Sequence, residues 1–234
     1  MSYREHAVRG RWHGLVECGW ASPAPAAPYV QQVLPDGCMD LVWTGTELLV
    51  AGPDTGPHPS PREAGRAAAG LRFAPGVLPA LLAVPAAEIR DRRVPLEALR
   101  PGLGRETADA LATADGSRAL RLLAGLAAAL PGPPPEPAVR AAAGQLAAGA
   151  TVDATADALG WTTRSLHRRC LAAFGYGPAV LRRVLRFRRV SSLLHAGVPI
   201  AEAAARAGYA DQPHLSREVR ALAGLSPAAL IGPT

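Results

Sequence analysis

The sequence predicts an α+β protein of two domains: a small, strand-rich mixed domain followed by an all-α domain. Three observations predict it. Short apolar runs broken by Pro, Gly and Asp give way to long Ala-, Leu- and Arg-rich stretches, a proline-dense segment lies between the two textures, and an internal repeat is confined to the second.

With 234 residues, of which 49% are hydrophobic, the chain can bury a real core and is not a disordered segment. No apolar run approaches the ~18 residues that a membrane span needs. The opening stretch MSYREHAVRGRWHG lacks the apolar core of a secretion signal. Three cysteines, Cys18, Cys38 and Cys170, are odd in number and far apart, which suits neither a disulfide framework nor a structural zinc site. The expectation is a cytoplasmic protein with reduced thiols, no metal and no cofactor.

Along the first part, Tyr29–Leu34, Met39–Trp43, Leu48–Ala51 and Leu71–Phe73 are short apolar runs bounded by turn residues and read as strands. Two short helices should follow, over Val77–Leu82 and Ala86–Arg92. Residues 1–104 are thus one strand-rich domain. Residues 105–130 form a helical segment broken near Asp115-Gly116. Residues 131–137 hold five prolines in seven positions and read as a semi-rigid linker. Residues 138–234 form the second domain.

Charge divides at the same place. The net charge is +6 and every basic side chain is Arg. Residues 1–137 hold 13 Arg and 14 acids, −1, whereas residues 138–234 hold 12 Arg and 5 acids, +7. Only the second domain is suited to a polyanion.

The repeat lies in that basic domain. Val152-Asp-Ala-Thr-Ala156-Asp-Ala-Leu-Gly160-Trp161 matches Ile200-Ala-Glu-Ala-Ala204-Ala-Arg-Ala-Gly208-Tyr209 position for position. Each copy then reaches a Leu (Leu166, Leu215), an apolar residue four later (Cys170, Val219), and a Gly-x-x-Pro turn at Gly175 and Gly224. The pattern is that of a helix-turn-helix. Ala156 and Ala204 are small where helices cross, and Gly160 and Gly208 supply the left-handed turn that ends the first helix. Thr162 or Thr163, and Asp211, can cap the second, and Pro213 sits in its first turn where a missing donor costs little.

At ~100° per residue, Leu166, Cys170 and Ala173 share one face of the first unit's second helix, opposite Arg164, His167 and Arg168. In the second unit Leu215, Val219 and Leu222 oppose Pro213, His214, Arg217 and Arg220. An Arg/His face anchored by an apolar one is what a major-groove recognition helix requires. Ala179–Leu194 reads as the continuous helix between the units, with Arg182, Arg183, Arg186, Arg188 and Arg189 as its charge.

These residues resemble the AraC/XylS-type DNA-binding domain over 138–234, and GYADQPHLSREVRALAGLSPAAL (208–230) is close to that family's signature. The resemblance implies seven helices, with two helix-turn-helix units joined by a long helix, lying on one face of DNA with both recognition helices in successive major grooves. It implies DNA contacts from Arg164, Ser165, His167 and Arg168 in the first unit and from Gln212, Pro213, His214 and Arg217 in the second. Cys170 departs from the family's large aromatic, and Pro213 cannot donate a side-chain hydrogen bond. The runs VLPDGCMDLVW (33–43), LLVAGPDTG (48–56) and GLRFAPGVLPALLAVPAAEIRDRRVPLEAL (70–99) are similar to an uncharacterised domain that precedes such DNA-binding domains in actinobacterial regulators. That likeness implies a sensory or dimerising role and names no ligand.

The function expected is therefore a sequence-specific transcriptional regulator, not an enzyme, whose partner is double-stranded DNA. A small-molecule effector is expected to act through the first domain, and Leu111, Leu120, Leu123, Leu126 and Leu130 offer either a homodimer surface or a cap on that domain's own core. The rival class is a DNA-alkyl-transfer enzyme with a reactive cysteine, but it needs about four clustered cysteine ligands, and the first domain has only Cys18 and Cys38. Cys38 is read as a small buried hydrophobe because no His partners it locally. Asp36, Asp40 and Asp54 are expected to cap turns. Trp12, Trp20 and Trp43 pack a core or line an apolar pocket.

Overall fold

The structure, a computed structural model, describes residues 3–8 and 10–232. The first domain runs β1 (Arg4–His6), β2 (Val16–Ser22), β3 (Tyr29–Val33), β4 (Met39–Trp43), β5 (Leu48–Ala51), β6 (His58–Arg62), β7 (Ala68–Phe73), α1 (Val77–Leu82), β8 (Arg93–Pro95) and α2 (Leu96–Leu99). Helices α3 (Arg105–Leu111) and α4 (Gly116–Ala128) follow. The helix expected over 86–92 is only a 3-10 turn at Ala86–Glu88: the backbone leaves helical geometry at Ile89, φ −119°, and Asp91 then adopts a left-handed φ of 58° that a helix cannot continue through.

Six strands form one antiparallel sheet in the order β1-β2-β7-β4-β5-β8, and β3 pairs with β6 in a separate ribbon. Period-2 alternation sets the two faces of the large sheet. Met39, Leu41 and Trp43 are buried, whereas Asp40 and Val42 between them are half-buried on the opposite face. The buried face packs on α1 and α4 to form the first core, which includes Trp12, Leu71, Phe73, Leu78 and Leu82. Leu111, Leu123, Leu126 and Leu130 belong to this core, and the half-buried Leu120 packs against it, so these leucines serve their own domain's core.

The break at Asp115 is a helix cap: its carboxylate accepts the Arg118 N–H at 2.7 Å. The proline segment does not run free as a spacer. Gly132 N–H donates to the Leu81 carbonyl at 2.8 Å and Pro135 is buried.

The second domain consists of α5 (Pro137–Ala147), α6 (Val152–Ala158), α7 (Thr163–Phe174), α8 (Pro178–His195), α9 (Ile200–Ala207), α10 (Gln212–Ala223) and α11 (Pro227–Leu230). Its core is separate and is built on Leu166, Phe174, Leu181, Val184, Phe187 and Leu215. The domains are joined along α7 and α8. Arg188 of α8 pairs with both carboxylate oxygens of Glu17 at 2.6 and 3.2 Å, and Arg90 donates to the Gly175 carbonyl at 3.0 Å. Phe174 lies against Gly76, where a Cβ would come within 2.9 Å of its ring.

Candidate nucleic-acid interface

Each repeat folds as a helix, a tight turn and a second helix. Gly160 and Gly208 end α6 and α9 with φ of 66° and 78°, values that cost an L side chain a steric penalty. Thr162 caps α7 by accepting the Ser165 N–H at 3.1 Å, and Asp211 caps α10 by accepting the His214 N–H at 2.6 Å. Ala156 and Ala204, each 2% exposed, allow the close crossing. The buried Thr155 hydroxyl satisfies itself on the Thr151 carbonyl at 2.8 Å.

Both second helices have the two faces that the wheel predicts. On α7, Leu166 and Cys170 are buried while Arg164, His167 and Arg168 are exposed. On α10, Leu215, Val219 and Leu222 are buried while Gln212, Pro213 and Arg217 are exposed. Cys170 is 1% exposed, so the first unit closes its core with a thiol in place of a ring.

The eight expected contact residues are not equally free. Among the described residues Arg164, Arg168 and Arg217 form no ion pair, so their guanidinium groups remain available to DNA. Ser165 is half-buried behind its cap. His167 lies over Gly177, where a Cβ would come within 2.7 Å of its Nε2. His214 is tied to its own turn: its Nδ1 accepts the Ala210 N–H at 3.4 Å and its ring meets Tyr209 edge-on at 5.2 Å.

The charge on α8 is spent largely inside the protein. Arg183 Nε donates to both oxygens of Glu218 at 2.9 Å, and Arg186 reaches the same carboxylate at 3.4 Å while its guanidinium stacks 4.6 Å from the Tyr209 ring. Arg182 donates to the Gly149 carbonyl and Arg188 is bound to Glu17. On α7, Arg169 lies 4.5 Å over Trp161 and pairs with Glu136 at 2.5 Å, which ties a recognition helix to the proline segment. Sequence reasoning missed these roles because each hydrogen-bond or ion-pair partner lies at least 32 positions away and carries no spacing signal.

Two short domain families match the chain. A helix-turn-helix domain matches residues 155–231, and a domain of unknown function (DUF6597) matches residues 10–95. Residues 155–231 are thus a helix-turn-helix domain of the AraC type, a DNA-binding unit. Among solved structures, the C-terminal domain of AraT, a response regulator from Geobacillus stearothermophilus, is similar at 25% identity over 41% of this chain and 84% of that one, with a TM-score of 0.39. An apo variant of ToxT from Vibrio cholerae is similar at 10% identity over 89% and 98%, with a TM-score of 0.48. A second ToxT structure from Vibrio cholerae gives 10% identity, 99% and 98% coverage and a TM-score of 0.46. No curated protein matches the sequence.

Proposed function

We propose that the protein reads a specific double-stranded DNA site by placing α7 and α10 in successive major grooves on one face of the duplex, and that the first domain controls this binding. One observation carries the reading: two exposed Arg-bearing helix faces, each backed by a buried apolar face, are anchored to the same helix α8. At about 1.5 Å per residue its eighteen residues span about 27 Å, a suitable strut for helices one DNA turn, ~34 Å, apart. Arg164, Arg168, Gln212 and Arg217 are the base-edge candidates, with Pro213 suited to shape or a thymine methyl. Ser165, His167 and His214 position the turns and can still meet backbone phosphates.

Control through the first domain is supported by the Glu17–Arg188 pair, which joins its sheet to the strut itself. A cytoplasmic location follows from a DNA partner. A cysteine-based alkyl transfer finds no support in the thiols: burial pushes Cys38 well above the usual thiol range, opposite to what a nucleophile needs. The test is Arg168→Ala. It should cost about 1–3 kcal/mol on the cognate site and relax selectivity at one position. Equal weakening on cognate and random DNA would make Arg168 a phosphate contact and overturn its assignment.

A further inference from the structure

Helices α7 and α10 end at matching positions of the repeat, and the first domain treats those ends differently. The corner that closes α7 is Phe174-Gly175-Tyr176, and all three residues are buried. Each meets a different segment of the first domain. A Cβ at Gly76, the residue that starts α1, would come within 2.9 Å of the Phe174 ring. Gly175 lies under Pro53, whose ring would stand 2.7 Å from a Cβ there, and its carbonyl accepts from the Arg90 guanidinium at 3.0 Å. Tyr176 reaches the Asp36–Cys38 turn, where a Cβ at Gly37 would stand 3.8 Å from its hydroxyl. The body of α7 packs on α1 and on the Ala86–Glu88 turn.

The segments that hold the corner are themselves braced. Asp91 donates its N–H to the Pro53 carbonyl at 3.1 Å, and its carboxylate accepts the Thr55 N–H at 2.6 Å and the Thr55 hydroxyl at 3.0 Å. It does so from a left-handed φ of 58°, a conformation that is costly for an L side chain and persists where its surroundings hold it. Arg93 grips both carboxylate oxygens of Asp54, at 2.8 and 2.7 Å.

The equivalent corner of α10 is open. Gly224 and Leu225 stand where the first unit has Gly175 and Tyr176, and Leu225 is 42% exposed against 2% for Tyr176. Pro57 of the first domain comes near: a Cβ at Gly224 would stand 3.7 Å from its ring, a grazing contact between two exposed residues. Helix α10 packs on α8, α9 and α11, and its lock to α8 through Glu218 lies wholly inside the second domain.

The hold on α7 also carries a penalty. The Tyr176 hydroxyl is sealed from solvent and has no hydrogen-bond partner among the described residues. A buried donor left unpaired is costly, so part of what the apolar contacts gain is offset, as a releasable joint requires.

We propose that the first domain governs one helix-turn-helix unit and not the other. It sets the orientation of α7 through the Phe174–Tyr176 corner, with Arg90 and Pro53 as positioning residues, while α10 reads its bases independently of it. The inference rests on the reading of control through the first domain and deepens it by naming the unit controlled. Lifting the first domain from the corner then turns a two-part DNA site into a one-part site, a change of sequence preference and not only of affinity.

The test uses the full chain and a randomised duplex library, from which bound sequences are selected and read. Arg168→Ala and Arg217→Ala first mark which bases belong to α7 and which to α10. Arg90→Ala removes the donor to Gly175 from an exposed side chain, and Pro53→Ala removes the ring over it without changing charge. Each should lower base preference several-fold in the α7 half of the site and leave the α10 half unchanged. Loss of a positive charge alone would weaken both halves alike. A loss shared by both halves, a loss confined to the α10 half, or no loss in either would each overturn the proposal. A wild-type site without two parts would overturn the two-groove reading and this inference with it. A two-part wild-type site that both variants read unchanged would overturn this inference alone.

Discussion

Glu218, the sole acid on α10, is held by Arg183 Nε on both of its carboxylate oxygens at 2.9 Å, and Arg183 belongs to the helix that spaces the two recognition helices. The pair sets the rotation of α10 about its own axis and so decides which side chains face outward. Arg186 adds a second guanidinium to the same carboxylate and a cation–π contact to Tyr209 at the end of the preceding turn. The second unit is therefore locked to α8 by charge as well as by Leu215 and Val219.

We predict that Glu218→Gln separates specificity from affinity. The substitution removes one negative charge and frees two arginines, so binding to random DNA should hold or strengthen. Binding to the cognate site should weaken, because α10 loses its orientation. The half-buried pair should also contribute about 1 kcal/mol to stability. Competition of cognate against random DNA checks this, and a proportional gain on both would show that Glu218 only repels phosphate.

The two units should differ in their dependence on the first domain. Phe174 at the end of α7 packs against Gly76, and Arg90 caps the Gly175 carbonyl, whereas among the described residues no hydrogen bond or ion pair ties α10 to the first domain. In a fragment of residues 138–234, helicity should persist because the second core is separate. Amide exchange should quicken in α7 far more than in α10. Uniform protection across both helices would contradict the asymmetry.

Gly132→Ala probes the docked proline segment. A Cβ there would overlap the Ala80 carbonyl oxygen, in backbone that cannot swing aside. Overpacking of this kind costs about 1–3 kcal/mol. The expected outcome is a lower unfolding midpoint, with loosening of the Glu136–Arg169 pair that the segment positions. An unchanged midpoint would mean that the segment is not docked in solution.

The cysteines should be inert in the folded protein. All three are buried, and burial pushes Cys18 up to about 11 and Cys170 up to about 12; Cys38 is raised well above the usual thiol range, by burial first and by Asp36 beside it. The thiolate fraction at neutral pH is then far below that of a free cysteine. An aromatic disulfide reagent should label none of the three until denaturant is added. Rapid labelling of Cys38 in native protein would instead make it a redox-responsive group.

Much of the architecture was legible because it rests on local rules. The strands at Met39–Trp43 and Leu48–Ala51 and helix α1 fall where apolar runs and turn residues place them. Other elements were hidden for physical reasons. Strand β6 carries Pro59 and Pro61, residues that argue against a strand; at alternate positions in an edge strand, both missing donors fall on the unpaired side. Strand β2 interrupts its apolar residues with Glu17 and Gly19, and Gly19 is needed where Leu120 approaches. Asp36 caps its turn as expected, accepting the Cys38 N–H at 2.8 Å, but Asp40 and Asp54 do not: they bind Arg72 and Arg93 across the sheet. Trp12 and Trp43 belong to the main core, and Trp20 is buried in a smaller cluster with Cys18 and Ala68 on the other face of the sheet.

By itself the sequence determined that this chain has a basic half built on a repeated helix-turn-helix, and which side chains on each second helix face away from the core. Those properties follow from periodicity, caps and glycine conformation, all of which act within a few residues along the chain. Only the tertiary structure decided which arginines remain free for DNA and that the leucines of α3 and α4 pack into their own domain's core. Each of those depends on pairs of groups distant in sequence, and the energy of a charge is set by what stands beside it in space.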